Sequence, residues 1–123
     1  MPATVLVIDD DPDLRALLQD VLDLEGYTVI TVATAPAGLA QAQAHHPDLI
    51  LLDYQLPYQD GPWFAAAYRV LPGPHAPVVL ITAATAAEQR AQGVGADAFL
   101  GKPFEVDALL RLVTRFVAHA PGG

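Results

Sequence analysis

The chain has 123 residues, enough for one domain with a real core, and its hydrophobic content of 53% agrees with that. Fourteen acidic against six basic residues leave a formal charge of -8, which argues against direct binding to DNA or RNA and suits a cation or a basic partner. There is no cysteine, so disulfides and thiolate metal sites are excluded.

The N-terminus has no basic stretch and runs into a short apolar segment ended by aspartates, which does not read as a signal peptide. No apolar run approaches the length of a membrane span, and the expectation is a soluble cytoplasmic domain.

Thr4 to Ile8 is β-branched and apolar and predicts a buried first strand. Asp9, Asp10 and Asp11 follow, and Asp11 before Pro12 reads as a helix N-cap. The first helix is expected to run to about Glu25, closed by Gly26, with Leu14, Leu17, Leu18, Val21 and Leu22 as its core stripe. A second strand is expected from Tyr27 to Val32. Thr34 caps a second helix reaching about His45, alanine-rich and anchored by Leu39. His45 and His46 cannot share one helix face, so they read as solvated helix-end residues and not as a metal pair.

Asp48 to Asp53 is an apolar run ending in a carboxylate, as expected of a strand buried in a parallel sheet. A loop dense in turn residues leads to a third helix, about Pro62 to Leu71, capped by Asp60, with Trp63, Phe64, Ala67 and Leu71 on its apolar side. Val78 to Ile81 is a fourth strand ending at Thr82. Ala83 to Gly95 has no large apolar residue except Val94; any helix there, about Ala86 to Gln92, is expected to be short and loosely held. A fifth strand, Asp97 to Gly101, leads to Lys102, Pro103 and Phe104. The last helix is expected from Glu105 to Ala118, with Val106, Leu109, Leu110, Val113, Phe116 and Val117 on one face, and then a frayed tail, 119–123.

Strict alternation of strands and helices implies an α/β fold with a parallel sheet covered on both faces. All strands then point one way, and Asp9, Asp10, Asp53, Thr82 and Lys102 share the carboxyl edge, where open α/β folds keep their sites. Lys102 is the chain's single lysine. Adjacent carboxylates repel unless a cation offsets their charge, and Mg²⁺ takes oxygen ligands of this kind. Lysine and a threonine hydroxyl complete a pocket suited to a dianionic phosphoryl group, with Asp53 as nucleophile.

Four segments carry a resemblance to the receiver domain of bacterial two-component response regulators: Val-Leu-Val-Ile-Asp-Asp-Asp-Pro (5–12), Asp-Leu-Ile-Leu-Leu-Asp-Tyr-Gln-Leu-Pro-Tyr-Gln-Asp-Gly (48–61), Ile-Thr-Ala (81–83) and Gly-Ala-Asp-Ala-Phe-Leu-Gly-Lys-Pro-Phe (95–104). The resemblance spans about residues 4–118 and implies a single receiver domain over 1–123. It implies a flavodoxin-like (βα)5 three-layer sandwich with strand order 2-1-3-4-5. By the same resemblance Asp53 accepts a phosphoryl group from a phosphohistidine on a sensor histidine kinase or phosphotransfer protein. Asp10 ligates Mg²⁺ (or Mn²⁺) directly, Asp9 does so through water, and Asp53 and the main-chain carbonyl of Gln55 complete the metal set. Thr82 and Lys102 bind phosphoryl oxygens, and the Lys102–Pro103 bond is cis. Thr82 and Phe99 form the switch that reshapes the surface of helix four, strand five and helix five. Gln55 and Ala84 tune the lifetime of the acyl phosphate.

The chain departs from the family pattern at two places. Phe99 stands where tyrosine is frequent, so its ring carries no hydroxyl, and the interval from Thr82 to Lys102 is shorter than usual, which alters the fourth-helix surface. The expected class is a signalling switch with only intrinsic self-phosphorylation and self-dephosphorylation. A haloacid-dehalogenase-type phosphatase would carry its nucleophile on strand one and a cap insertion. A pseudo-receiver binding module would lack some of these side chains. No glycine-rich nucleotide loop is present for a flavin or dinucleotide. The output is expected to be a downstream protein target or a covalently linked domain, with the chain itself either a stand-alone regulator or an excised receiver.

Overall fold

The computed structural model describes residues 2–117; the expected helix end at Ala118 and the tail 119–123 lie outside the described residues. Five strands and five α-helices alternate: β1 (Thr4–Ile8), α1 (Pro12–Leu24), β2 (Thr28–Val32), α2 (Ala35–His45), β3 (Leu49–Asp53), α3 (Gly61–Arg69), β4 (Val78–Ala83), α4 (Ala87–Val94), β5 (Ala98–Lys102) and α5 (Val106–Phe116). A 3₁₀ turn, Ala84–Ala86, precedes α4. The sheet is parallel throughout, in the order β2-β1-β3-β4-β5.

Side chains of a strand alternate between the faces of its sheet, and this parity divides the core in two. Val5, Val7, Leu49, Leu51, Val79 and Ile81 pack against α1 and α5, through Leu18, Leu22, Leu109 and Val113. Leu6, Ile8, Ile50, Leu52 and Leu80 pack on the other face against α2, α3 and α4. Every residue of β3 is buried, as a central parallel strand requires.

The helix starts follow local chemistry. The Asp11 carboxylate accepts from the amides of Asp13 and Leu14, Thr34 from Ala37, and Asp60 from Trp63, each followed by proline at the start of the helix. Gly26 and Gly95 take positive φ, 89° and 72°, where the chain leaves α1 and α4.

Several helix faces differ from the sequence expectation. Leu17 of α1 is 44% exposed, because it lies on the flank of the stripe, to one side of the buried Leu18 and Leu22. α2 is seated by Ala35, Gly38 and Ala42, with Leu39 only half-buried. These small residues bring α2 close, and a Cβ on Gly38 would lie 2.5 Å from Ile8 Cδ1. On α3 the buried set is Phe64, Ala65 and Tyr68, while Trp63 and Ala67 are half-buried. The Tyr68 hydroxyl is satisfied by the Ala76 amide at 2.7 Å, which makes burial of its ring tolerable. On α5 Leu112 joins Leu109 and Val113, and Val106, Leu110 and Phe116 lie at the margin.

Candidate functional site: an acidic cleft at the carboxyl edge of the sheet

Strand parity sorts the polar residues at this edge. Asp53 follows Leu49 and Leu51, Asp9 follows Val5 and Val7, and Lys102 follows Ala98 and Leu100; all three continue the α1/α5 face. Thr82 has the parity of Leu80 and belongs to the α4 face. The first three therefore converge directly, and Thr82 approaches from across the rim.

Asp9 is 1% exposed and held on every side. Its amide donates to the Val32 carbonyl at 3.1 Å, and its Oδ1 accepts from the Asp11 amide at 2.9 Å. Its carbonyl accepts from Arg15 Nη1 at 2.9 Å. Lys102 Nζ stands 3.4 Å from Asp9 Oδ2 and 3.5 Å from Asp53 Oδ1, bridging the two buried carboxylates. Asp10 is exposed at the mouth. Asp9, Asp10 and Asp53 each offer a carboxylate oxygen, and these atoms lie within 4.8 Å of one another.

Asp53 is 6% exposed, and its carboxyl is pushed up to about 6. Burial is the main cause, the neighbouring Asp9 charge adds to it, Lys102 opposes it by charge and hydrogen bonding, and Asp10 adds a smaller increment. The close approach of α3 to this strand end needs Gly61. A Cβ there would lie 2.8 Å from the Asp53 carbonyl oxygen and 2.9 Å from Tyr54 Cα.

The site opens into a cleft of about 770 Å³ lined by Asp10, Asp53, Thr82 and Lys102, with Gln55 on one rim and Leu17 on another. Ala84 is exposed in the 3₁₀ turn, and its Cα leaves no room for a Cβ on Gly101, which would lie 2.6 Å away. Phe99 is 43% exposed on β5, in a shallow depression with Arg111 and Arg115. The Lys102–Pro103 and Gly73–Pro74 peptide bonds are cis.

Three residues of this region have no counterpart in the sequence reading. Arg15 pins the Asp9 carbonyl, Arg90 of α4 donates from Nη1 to Thr82 Oγ1 at 2.7 Å, and the Arg90 guanidinium lies 4.4 Å over the Tyr54 ring. Arg15 stands one turn into α1 and is within reach of a strand-end carbonyl by position alone. Nothing in the sequence couples Arg90 to Tyr54.

The model of the response regulator receiver domain family matches residues 5–114, and the chain belongs to that family. The probable transcriptional regulatory protein TcrX of Mycobacterium tuberculosis is 36% identical over 114 residues, covering 90% of this chain and 48% of TcrX. The chain thus spans about half the length of that relative. The chemotaxis response regulator CheY4 of Vibrio cholerae superposes with a TM-score of 0.87 at 32% identity, covering 95% of this chain and all of CheY4. The receiver domain of the sensor histidine kinase PA1611 of Pseudomonas aeruginosa, solved with a magnesium ion coordinated in its active-site cleft, gives 0.85 at 27% identity, covering 94% of this chain and 98% of that one.

Proposed function

We propose that residues 1–123 form one receiver domain that works as a phosphoacceptor switch, with Asp53 as the acceptor. The observation that carries this reading is Asp53 itself: a buried carboxylate at the end of a central strand, bridged by Lys102 and grouped with Asp9 and Asp10. In the transfer an Asp53 Oδ attacks the phosphorus of a phosphohistidine. A P–O bond forms, the P–N bond breaks, and the imidazole leaves with its electron pair. Asp53 must be ionised for this step, and Lys102 favours that form.

The donor set fits a hard divalent cation. Three carboxylates this close carry a repulsion that Lys102 alone does not offset, and oxygen is the ligand type Mg²⁺ or Mn²⁺ takes. Asp10 and Asp53 would hold the ion directly, Asp9 through water, and the Gln55 carbonyl would supply a further oxygen. When bound, the ion neutralises charge on the phosphoryl oxygens. Lys102 holds one phosphoryl oxygen, and the Thr82 hydroxyl donates to another. Phe99 then turns inward, and the face of α4, β5 and α5 changes shape. Gln55 and Ala84 flank the water path that sets the lifetime of the acyl phosphate. The partners are a sensor histidine kinase or phosphotransfer protein on one side, and a target protein or linked output domain on the other. No helix among the described residues is long and apolar enough to cross a membrane. The domain acts as a switch and not as a dedicated phosphatase, since the proposed acceptor Asp53 ends strand three and no cap-sized insertion interrupts the alternation of strands and helices among the described residues.

The test is phosphorylation by acetyl phosphate with Mg²⁺, read by intact mass. The wild-type protein gains one phosphoryl group and Asp53→Asn gains none. Covalent phosphate persisting in the variant overturns the assignment.

A further inference from the structure

The Thr82 hydroxyl is engaged away from the carboxylates. Its parity turns it to the α4 face, and its Oγ1 accepts from Arg90 Nη1 at 2.7 Å. Arg90 is fixed from below by the ring of Tyr54, the residue after Asp53, at 4.4 Å. One side chain of α4 thus grips both the threonine that a phosphoryl group needs and the residue adjoining the acceptor. α4 has little else to hold it: its buried residues are Ala87, Ala91 and Val94. Arg69, by contrast, donates to the Val94 carbonyl at 2.6 Å, where α4 ends and away from the cleft.

We infer that Arg90 is a positioning residue that restrains the Thr82 hydroxyl on the α4 side until Asp53 is phosphorylated, and that release of this bond is the signal α4 receives. The inference rests on the reading of Asp53 and Thr82 given above. A hydroxyl that turns toward a phosphoryl group on Asp53 must leave a guanidinium anchored on Tyr54. Arg90 then loses its hydrogen bond, and α4 loses the tie between its middle turn and the sheet. Phe99 has no hydroxyl with which to form a second reporter bond, so among the described residues this tie is the side-chain hydrogen bond that joins Thr82 to α4. The bond stabilises the unphosphorylated form alone, and it therefore opposes activation by the strength of one hydrogen bond to a charged group.

Beryllium fluoride with Mg²⁺, an analogue of a phosphoryl group on a carboxylate, tests this by titration of the full chain. Arg90→Met, which keeps the apolar stem, is expected to tighten the analogue about tenfold, the low end of the scale of one such bond. Arg90→Lys, which keeps a donor, is expected to return most of the way to wild type. In a Thr82→Val background Arg90→Met is expected to change nothing. In the wild-type protein the Arg90 guanidinium NMR signals are expected to move and exchange faster on addition of the analogue, a readout independent of any variant's folding. Unchanged or weakened binding in Arg90→Met, an equal shift in the valine background, or unmoved guanidinium signals each overturn the inference and leave Asp53 as acceptor untouched. Failure of the wild-type protein to bind the analogue, or equal binding by Asp53→Asn, removes the underlying reading and this inference with it.

Discussion

Asp53 is held in tension by its own environment. Burial and the Asp9 carboxylate favour its neutral form, while Lys102 favours the ionised form that the chemistry needs, and the balance leaves its carboxyl at about 6 against an ordinary 3.8. The sign of the linked stability follows. In metal-free protein the folded state holds this proton to higher pH than the unfolded chain does. The native state is therefore penalised fully above pH 6, and the penalty fades as pH falls toward 4. A shift of this size corresponds to a penalty of about 3 kcal/mol at neutral pH. Asp53→Asn is isosteric and carries no charge. Urea unfolding of metal-free protein at pH 7.5 is expected to find the variant more stable by up to that amount, with the difference shrinking toward pH 4. A difference that does not vary with pH would assign the gain to packing and not to the buried charge.

At the scale of elements, the strands and caps were legible and the helix faces only partly so. β1, β2 and β4 are rich in β-branched residues and β3 is a continuous apolar run, and the caps at Asp11, Thr34 and Asp60 use local chemistry that a short segment contains in full. The site carboxylates were legible for the same reason: a parallel sheet converts the strand ends of Asp9, Asp53 and Lys102 into neighbours. What was hidden depends on contacts between distant elements. Tyr68 is buried because Ala76, across a loop, satisfies its hydroxyl, and Arg90 finds Thr82 only once α4 is docked. Leu17 belongs to the expected stripe but lies on its flank, where it lines the cleft instead. The alanine-rich α4 makes the most direct element-level prediction. A helix that buries two alanines and one valine has little apolar area to oppose local opening, whereas α5 buries Leu109, Leu112 and Val113. Amides of 87–94 are expected to exchange with solvent faster than those of 109–113, and equal protection would show that polar ties such as Arg90 and Arg69 hold α4 unaided. Gly61→Ala tests the other close approach. Its Cβ would meet backbone and not a movable side chain, so a loss on the order of 1–3 kcal/mol in unfolding free energy is expected.

At the scale of the whole molecule, the formal charge of -8 and the sheet polarity act on one point. The sheet gathers three carboxylates at one edge, and the excess negative charge elsewhere raises the local concentration of cations around them. A cation bound there acts on folding as well as on chemistry, because the unfolded chain separates Asp9 and Asp10 from Asp53 and loses the site. Ligand binding to the native state alone adds about 2.7 kcal/mol at a hundredfold excess over its dissociation constant, and for a domain of this size that moves the melting midpoint by on the order of 10 °C. Mg²⁺ is therefore expected to raise the midpoint at pH 7.5 well beyond NaCl of matched ionic strength. Protons compete for Asp53 below about 6, so the rise should be smaller at pH 5. Asp10→Asn and Asp53→Asn should lose most of it at both pH values. An equal rise in these variants would mean that the cation is screening the acidic surface in general, and the carboxyl edge would then owe its three acids to phosphoryl chemistry without a specific metal.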